Sequence, residues 1–194
     1  ADANNERARL WYKTNAERAN DLGRQRRKAL LQEAFRNLGT ICACPGCTVA
    51  EPLFLVVDHI DGLAEGERRG TPAVFAAWRS GWDKNKFQIL CHNCNLAKRG
   101  RTNCPVHYGE RKPLSMRRLK REALRFLGSM CACPGCGITE PWFLTVDHIF
   151  GRGQAPKHYA RQQAENSNWN KTQFQTLCFN CNVAKGLNAR CPVH

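Results

Sequence analysis

Cys42-Ala43-Cys44-Pro45-Gly46-Cys47 is followed by Phe54-Leu55-Val56-Val57-Asp58-His59-Ile60 and then by Cys91-His92-Asn93-Cys94-Asn95. The same order returns as Cys131-Ala132-Cys133-Pro134-Gly135-Cys136, Phe143-Leu144-Thr145-Val146-Asp147-His148-Ile149 and Cys178-Phe179-Asn180-Cys181-Asn182. Arg36 to Ile60 aligns with Arg125 to Ile149 at a constant offset of 89, and Trp82 to His107 with Trp169 to His194 at 87. One unit has been duplicated, and only the loop inside it has drifted.

Within each copy two Cys-x-x-Cys pairs lie forty-odd residues apart. Brought together, Cys44, Cys47, Cys91 and Cys94 supply four thiolates for a closed structural zinc site, and Cys133, Cys136, Cys178 and Cys181 supply a second. Pro-Gly inside the first pair makes the tight knuckle such a site needs. Three ligand-type residues remain per copy: Cys42, Cys104 and His107, and likewise Cys131, Cys191 and His194. Seven ligands serve two zincs if one thiolate bridges. They could equally form a second site completed by water or another side chain, or be buried thiols.

Composition points outward from the cysteines. Lys+Arg number 30 against 16 Asp+Glu, a formal net charge of +14, and 12 residues are cysteine. A field of that sign favours polyanions, and the two features leave a disulfide-rich secreted cation or a zinc-bearing nucleic-acid protein. The first residues, Ala1 to Arg7, hold no apolar signal core, and the longest apolar run is Leu53 to Val57. The expectation is an intracellular protein with no membrane partner.

The charge is uneven. Residues 98–125 hold ten Lys+Arg and two Glu. Leu119, Ala123, Phe126 and Leu127 fall at helical spacing among Arg117, Arg118, Lys120, Arg121 and Arg125, which predicts an amphipathic helix with a cationic outer face. Ala29 to Leu38 follows Arg24, Arg26, Arg27 and Lys28 in the same manner, and Asn-Asn-Glu-Arg-Ala at 4–8 recurs as Asn-Ala-Glu-Arg-Ala at 15–19. That period of eleven keeps one helix face aligned. The division expected is a basic helical arm at 1–35, a first zinc-bound repeat at 36–107, a basic linker helix at 108–124 and a second repeat at 125–194. Arg26, Arg27, Arg117, Arg118, Lys120 and Arg121 are the expected phosphate-backbone contacts.

Between the cysteine pairs, a β-rich run ending in Asp-His sets a carboxylate and an imidazole side by side at a strand end. The second pair starts a helix at Asn95 or Asn182, tied back to that strand by zinc. Asp, His and Asn can then converge: hard oxygens suit magnesium, and a neutral imidazole can deprotonate a water. Taken alone, Asp-His is a turn and Asn an N-cap; both recur in two diverged copies.

The order Cys-x-x-Cys, strand ending Asp-His, then Cys-x-x-Cys-Asn resembles the HNH (ββα-metal) endonucleases, particularly the recombination endonuclease VII group of phages and bacteria. The resemblance covers about 36–107 and 125–194. It implies an α+β fold of two tandem zinc-stapled ββα-metal units preceded by basic helices. It also implies that Asp58 and Asn95 hold one Mg²⁺ while His59 activates water, with Asp147, Asn182 and His148 doing the same in the second unit. Lys98 and Lys185, one turn after each Asn, are then expected phosphate contacts. The middle Asn of the pattern is replaced by Lys86 and Gln173, preceded by Asn85 and Thr172, and its last His is Asn95 or Asn182.

The resulting expectation is a DNA endonuclease, a monomeric pseudo-dimer or a homodimer. Sequence-specific duplex cleavage of the restriction or homing type comes first and branched-DNA resolution second. Arg68, Arg69, Arg79, Arg152, Lys157, His158 and Arg161, in the divergent loops, are candidates for groove readout. The alternative from another class is a non-catalytic zinc-ribbon protein that binds nucleic acid.

Overall fold

A computed structural model describes residues 2–62, 72–98, 104–108, 118–151, 160–186 and 190–194. Its elements run α1 (Asp2–Leu38), a 3₁₀ turn (Pro52–Phe54), β1 (Leu55–His59), α2 (Ala73–Arg79), β2 (Phe87–Cys91), α3 (His92–Lys98), α4 (Arg118–Leu127), β3 (Leu144–His148), α5 (Ala160–Asn166), β4 (Phe174–Cys178) and α6 (Phe179–Lys185). The chain is therefore mixed α+β, with a two-stranded antiparallel sheet in each unit: β1 on β2 and β3 on β4.

Helix α1 does not stop at the expected arm boundary. It runs on to Leu38, and the end of the arm already joins the first unit's core through buried Leu30 and Ala34, while Leu10, Trp11 and Leu22 stay exposed. The helix ends where Gly39, at φ +118°, donates its N–H to the Phe35 carbonyl at 3.2 Å, a left-handed closure that glycine adopts without strain. The shorter α4 plays the same part for the second unit through Ala123 and Leu124. Trp82, in the same core, ties to α1 through its indole N–H, which donates to Glu33 Oε1 at 2.9 Å.

Alternation along the strands decides what each unit buries. Leu55 and Val57 point into the first core with Phe87 and Ile89, leaving Asp58 and His59 half-buried at the strand end. The matching second core holds Val146, Phe174, Ala164 and Trp169. Thr176 occupies the place of Ile89, fully buried, and its Oγ1 has no hydrogen-bond partner among the described residues. An unsatisfied buried hydroxyl costs about 1–3 kcal/mol, so Thr176→Val should raise stability by about 1 kcal/mol in urea unfolding of the zinc-loaded chain. A lower midpoint would show that the hydroxyl is satisfied after all.

The two units meet about a local two-fold. Asn93 N–H donates to Asn180 Oδ1 at 2.8 Å, and Asn180 N–H returns the bond to Asn93 Oδ1 at 2.9 Å. Both side chains are buried. Phe54 stacks on His194 at 5.8 Å, and its counterpart Phe143 lies 5.9 Å from His107, the counterpart of His194. Residue i of one unit meets j of the other and j meets i, which is the signature of an isologous contact, here made within one chain. The side chain of His92 edges onto Phe179 at 6.1 Å, and burial lowers its pKa to about 4, so it enters this contact neutral.

Candidate functional site

All twelve cysteines are free thiols and fall into four groups with two histidines. In the first unit Cys42, Cys47, Cys91 and Cys94 form one group and Cys44, Cys94, Cys104 and His107 another; in the second unit the groups are Cys131, Cys136, Cys178 and Cys181, and Cys133, Cys181, Cys191 and His194. Donor atoms within each group lie within 4.8 Å of one another. Each of the four groups could hold a zinc ion. Crowding makes such thiols reluctant to ionise together: hydrogen bonding to Cys104 and other neighbours drives the Cys94 thiol far up, while the same contact lowers Cys104 to about 5.

The grouping corrects the four-thiolate expectation in one respect. Cys44 and Cys133 do not join the cysteines three residues on; the knuckle turn sends its two ends to different groups. That turn is closed by Cys47 N–H on the Cys44 carbonyl at 3.0 Å, with Pro45 leading and Gly46 at φ +75°, as a type II turn requires. Cys42 and Cys131 take the vacated places, and the Cys-Pro-Val-His segments complete the outer groups.

Beside these groups, Asp58 and His59 end β1. Asp58 pairs with Gln88 across the sheet and His59 with Phe87, whose ring lies 4.8 Å from the imidazole. Asp58 Oδ2 accepts from Gln88 Nε2 at 3.1 Å and from Lys98 Nζ at 2.6 Å. The Lys98 ammonium also donates to the His59 carbonyl, and to that of Ile60 at 2.7 Å. The second unit repeats the arrangement: Gln175 reaches Asp147 at 2.9 Å, Lys185 reaches it at 2.6 Å, and Lys185 also donates to the His148 carbonyl.

Lys98 and Lys185 are thus not phosphate contacts. Their side chains are 3% and 1% exposed, with their charges spent inside the protein on a carboxylate and backbone carbonyls. The helical step that places them one turn after Asn also turns them toward the strand bearing Asp. Asn95 and Asn182 sit on that face one turn earlier and are partly exposed. Oδ1 of each Asp takes none of these bonds.

Two partners of the site were not anticipated. His148 Nε2 lies 2.7 Å from Gln163 Oε1 on α5, whereas the matching position on α2 is Ala76. Gln88 and Gln175 recur in both copies directly opposite Asp, which was a readable signal; Gln163 had none. Lys86 and Gln173 contribute backbone carbonyls, accepting from Ile60 N–H at 2.9 Å and Ile149 N–H at 2.8 Å, so the turn after Asp-His is held whatever side chain stands there.

Of the expected cationic contacts, Arg27 and Arg121 are exposed, and Arg26 lies over the rings of Phe75 and Trp78 at 5.7 and 5.5 Å. Arg118 is committed to Glu122 and Glu165, each at 2.7 Å, and ties α4 to α5. Lys120 is half-buried and Arg79 exposed. Arg117, Arg68, Arg69, Arg152, Lys157 and His158 lie outside the described residues. Among the described residues no helix is long and apolar enough to cross a membrane. No protein-family model, curated protein or solved structure matches the chain.

Proposed function

We propose that this chain is a metal-dependent DNA endonuclease built from two HNH-like units, cutting phosphodiesters by a histidine-activated water. The observation that carries the reading is the repetition of one polar constellation, Asp-His at a strand end with Gln and Lys converging on it and an Asn one helical turn before the Lys, in two copies whose loops have diverged. A structural turn alone does not require the imidazole to sit beside an aromatic ring with its neighbour's carboxylate fixed. His59 or His148 takes the proton of a water lined up on phosphorus. The P–O3′ bond breaks, and a 5′-phosphate and a 3′-hydroxyl result. Asp58 with Asn95, and Asp147 with Asn182, would hold Mg²⁺. When bound, that ion stabilises charge on the phosphoryl and leaving oxygens. Lys98 and Lys185 keep each Asp and the His backbone in place.

The local two-fold supports action on a two-fold substrate, and duplex cleavage at a specific sequence is the first reading, ahead of branched DNA. The Lys–Asp ion pair favours one rival: it satisfies Asp58 and Asp147 with no divalent ion, as a non-catalytic zinc-ribbon DNA binder would need.

Incubating the zinc-loaded protein with supercoiled plasmid libraries and a four-way junction, with and without Mg²⁺, separates these. Cleavage that requires added Mg²⁺ is expected, with binding falling about 10³-fold between roughly 50 and 200 mM salt if about six phosphates are contacted. Tight, salt-sensitive binding with no cut on any substrate would establish the zinc-ribbon reading instead.

A further inference from the structure

We infer that each unit holds a two-ion zinc cluster in which a single thiolate bridges the ions, Cys94 in the first unit and Cys181 in the second, so that the loaded chain carries four zincs. The inference rests on the donor groups alone and not on the nuclease reading.

Three observations carry it. Cys94 is the sole member common to both groups of its unit, and Cys181 of its own. Seven donors per unit meet the eight bonds of two tetrahedra only if one is shared. The spacings then agree with tetrahedral geometry. Zinc bonds of about 2.3 Å to sulfur and 2.0–2.1 Å to nitrogen give edges of about 3.8 Å between two sulfurs and 3.6 Å between sulfur and nitrogen. Cys47 and Cys91 sulfurs are 3.9 Å apart, and Cys136 and Cys178 sulfurs 3.7 Å. His107 Nδ1 lies 3.3, 3.4 and 3.7 Å from the sulfurs of Cys44, Cys94 and Cys104. For His194 Nδ1 the distances to Cys133, Cys181 and Cys191 are 3.7, 3.5 and 3.9 Å. An imidazole nitrogen within 3.9 Å of three sulfurs is placed for a common metal, since one ring nitrogen cannot hydrogen-bond to three partners at once.

The surroundings suit thiolates. Cys91 N–H donates to Cys42 Sγ at 3.2 Å and Cys94 N–H to Cys91 Sγ at 3.4 Å; Cys178 and Cys181 do the same in the second unit at 3.2 and 3.5 Å. Such donors spread the excess charge of six thiolates on two dications. The bridging sulfur lies at the start of the helix that carries Asn95 or Asn182, beside the Asn93–Asn180 pair. The outer ion, closed by His107 or His194, fixes the ring that rests on Phe143 or Phe54 of the other unit. Loading the outer sites therefore clasps the units together.

Native mass spectrometry of the intact chain, purified from zinc-supplemented culture, should show four zincs. Cys104→Ala should show three, having lost one outer ion, and Cys94→Ala two, having lost both ions of the first unit. Because Cys94→Ala risks misfolding, the parent is also titrated with Co²⁺. A thiolate bridge couples the two spins antiferromagnetically, so the low-temperature electron paramagnetic resonance signal per cobalt should fall between two and four equivalents. Saturation at two zincs, Cys94→Ala retaining three, or an undiminished signal at four cobalts would each overturn the bridge.

Discussion

Replacing His59 and His148 together by alanine is expected to lower plasmid cleavage by about 10³-fold or more while zinc content and unfolding midpoint stay close to those of the parent. A positioned general base contributes roughly 10²–10⁴ in rate, and here the same residue is lost from both sites. The structural cost is small by comparison. Each imidazole packs against a phenylalanine, Phe87 or Phe174, at 4.8 Å, and neither belongs to one of the cysteine groups. Single variants should each leave an enzyme that nicks but seldom linearises, because one unit still works. The sites are not chemically identical, since Gln163 holds His148 and alanine stands at the matching position 76. Single-variant rates therefore also report what that hydrogen bond contributes. Added imidazole should restore part of the double variant's activity, which a merely structural histidine would not allow. Cleavage by the double variant at the parent's rate would sink the catalytic reading.

The parts of this molecule written in local spacing were legible. Alternation in Leu55-Val56-Val57-Asp58-His59 fixes a strand with its polar end outward, and the repeat at 89 and 87 residues fixes two equal units. The helical period of 119–127 matches α4. What was hidden depends on contacts between segments far apart in the chain. Spacing alone pairs Cys44 with Cys47; only the return of Cys104 and His107 onto Cys94 shows that the turn's ends belong to different groups. The +14 charge suggests that a lysine one turn after Asn faces solvent. A carboxylate on the adjacent strand, with carbonyls aimed inward, outweighs that tendency, because a buried ammonium with three partners is satisfied. The reciprocal Asn93–Asn180 pair was equally unreadable: the two residues lie 87 positions apart and resemble ordinary surface amides between two cysteines.

Lys98→Met, alone or with Lys185→Met, carries the second large expected effect, and it falls on stability before activity. At 3% exposure the ammonium is desolvated, and Asp58 is only 14% exposed. Removing one partner of such a pair leaves an uncompensated charge, at a cost of about 3–5 kcal/mol, and strands the carbonyls of His59 and Ile60, which lose a donor. The loss should appear as a lower urea midpoint in zinc-saturated protein, with the second unit responding likewise to Lys185→Met. Adding Asp58→Asn to Lys98→Met removes the stranded charge and should recover part of the loss. That non-additivity distinguishes a buried pair from two independent contributions. Cleavage through the affected unit should fall as well, since the carboxylate and the strand end that carries the imidazole are no longer held in register. A lysine that served as a phosphate contact would behave in the opposite way: Lys98→Met would leave the midpoint unchanged, weaken DNA binding and reduce its salt dependence by about one phosphate. Unfolding and salt titration of the same variant therefore decide between the two roles, and an unchanged midpoint would refute the buried latch.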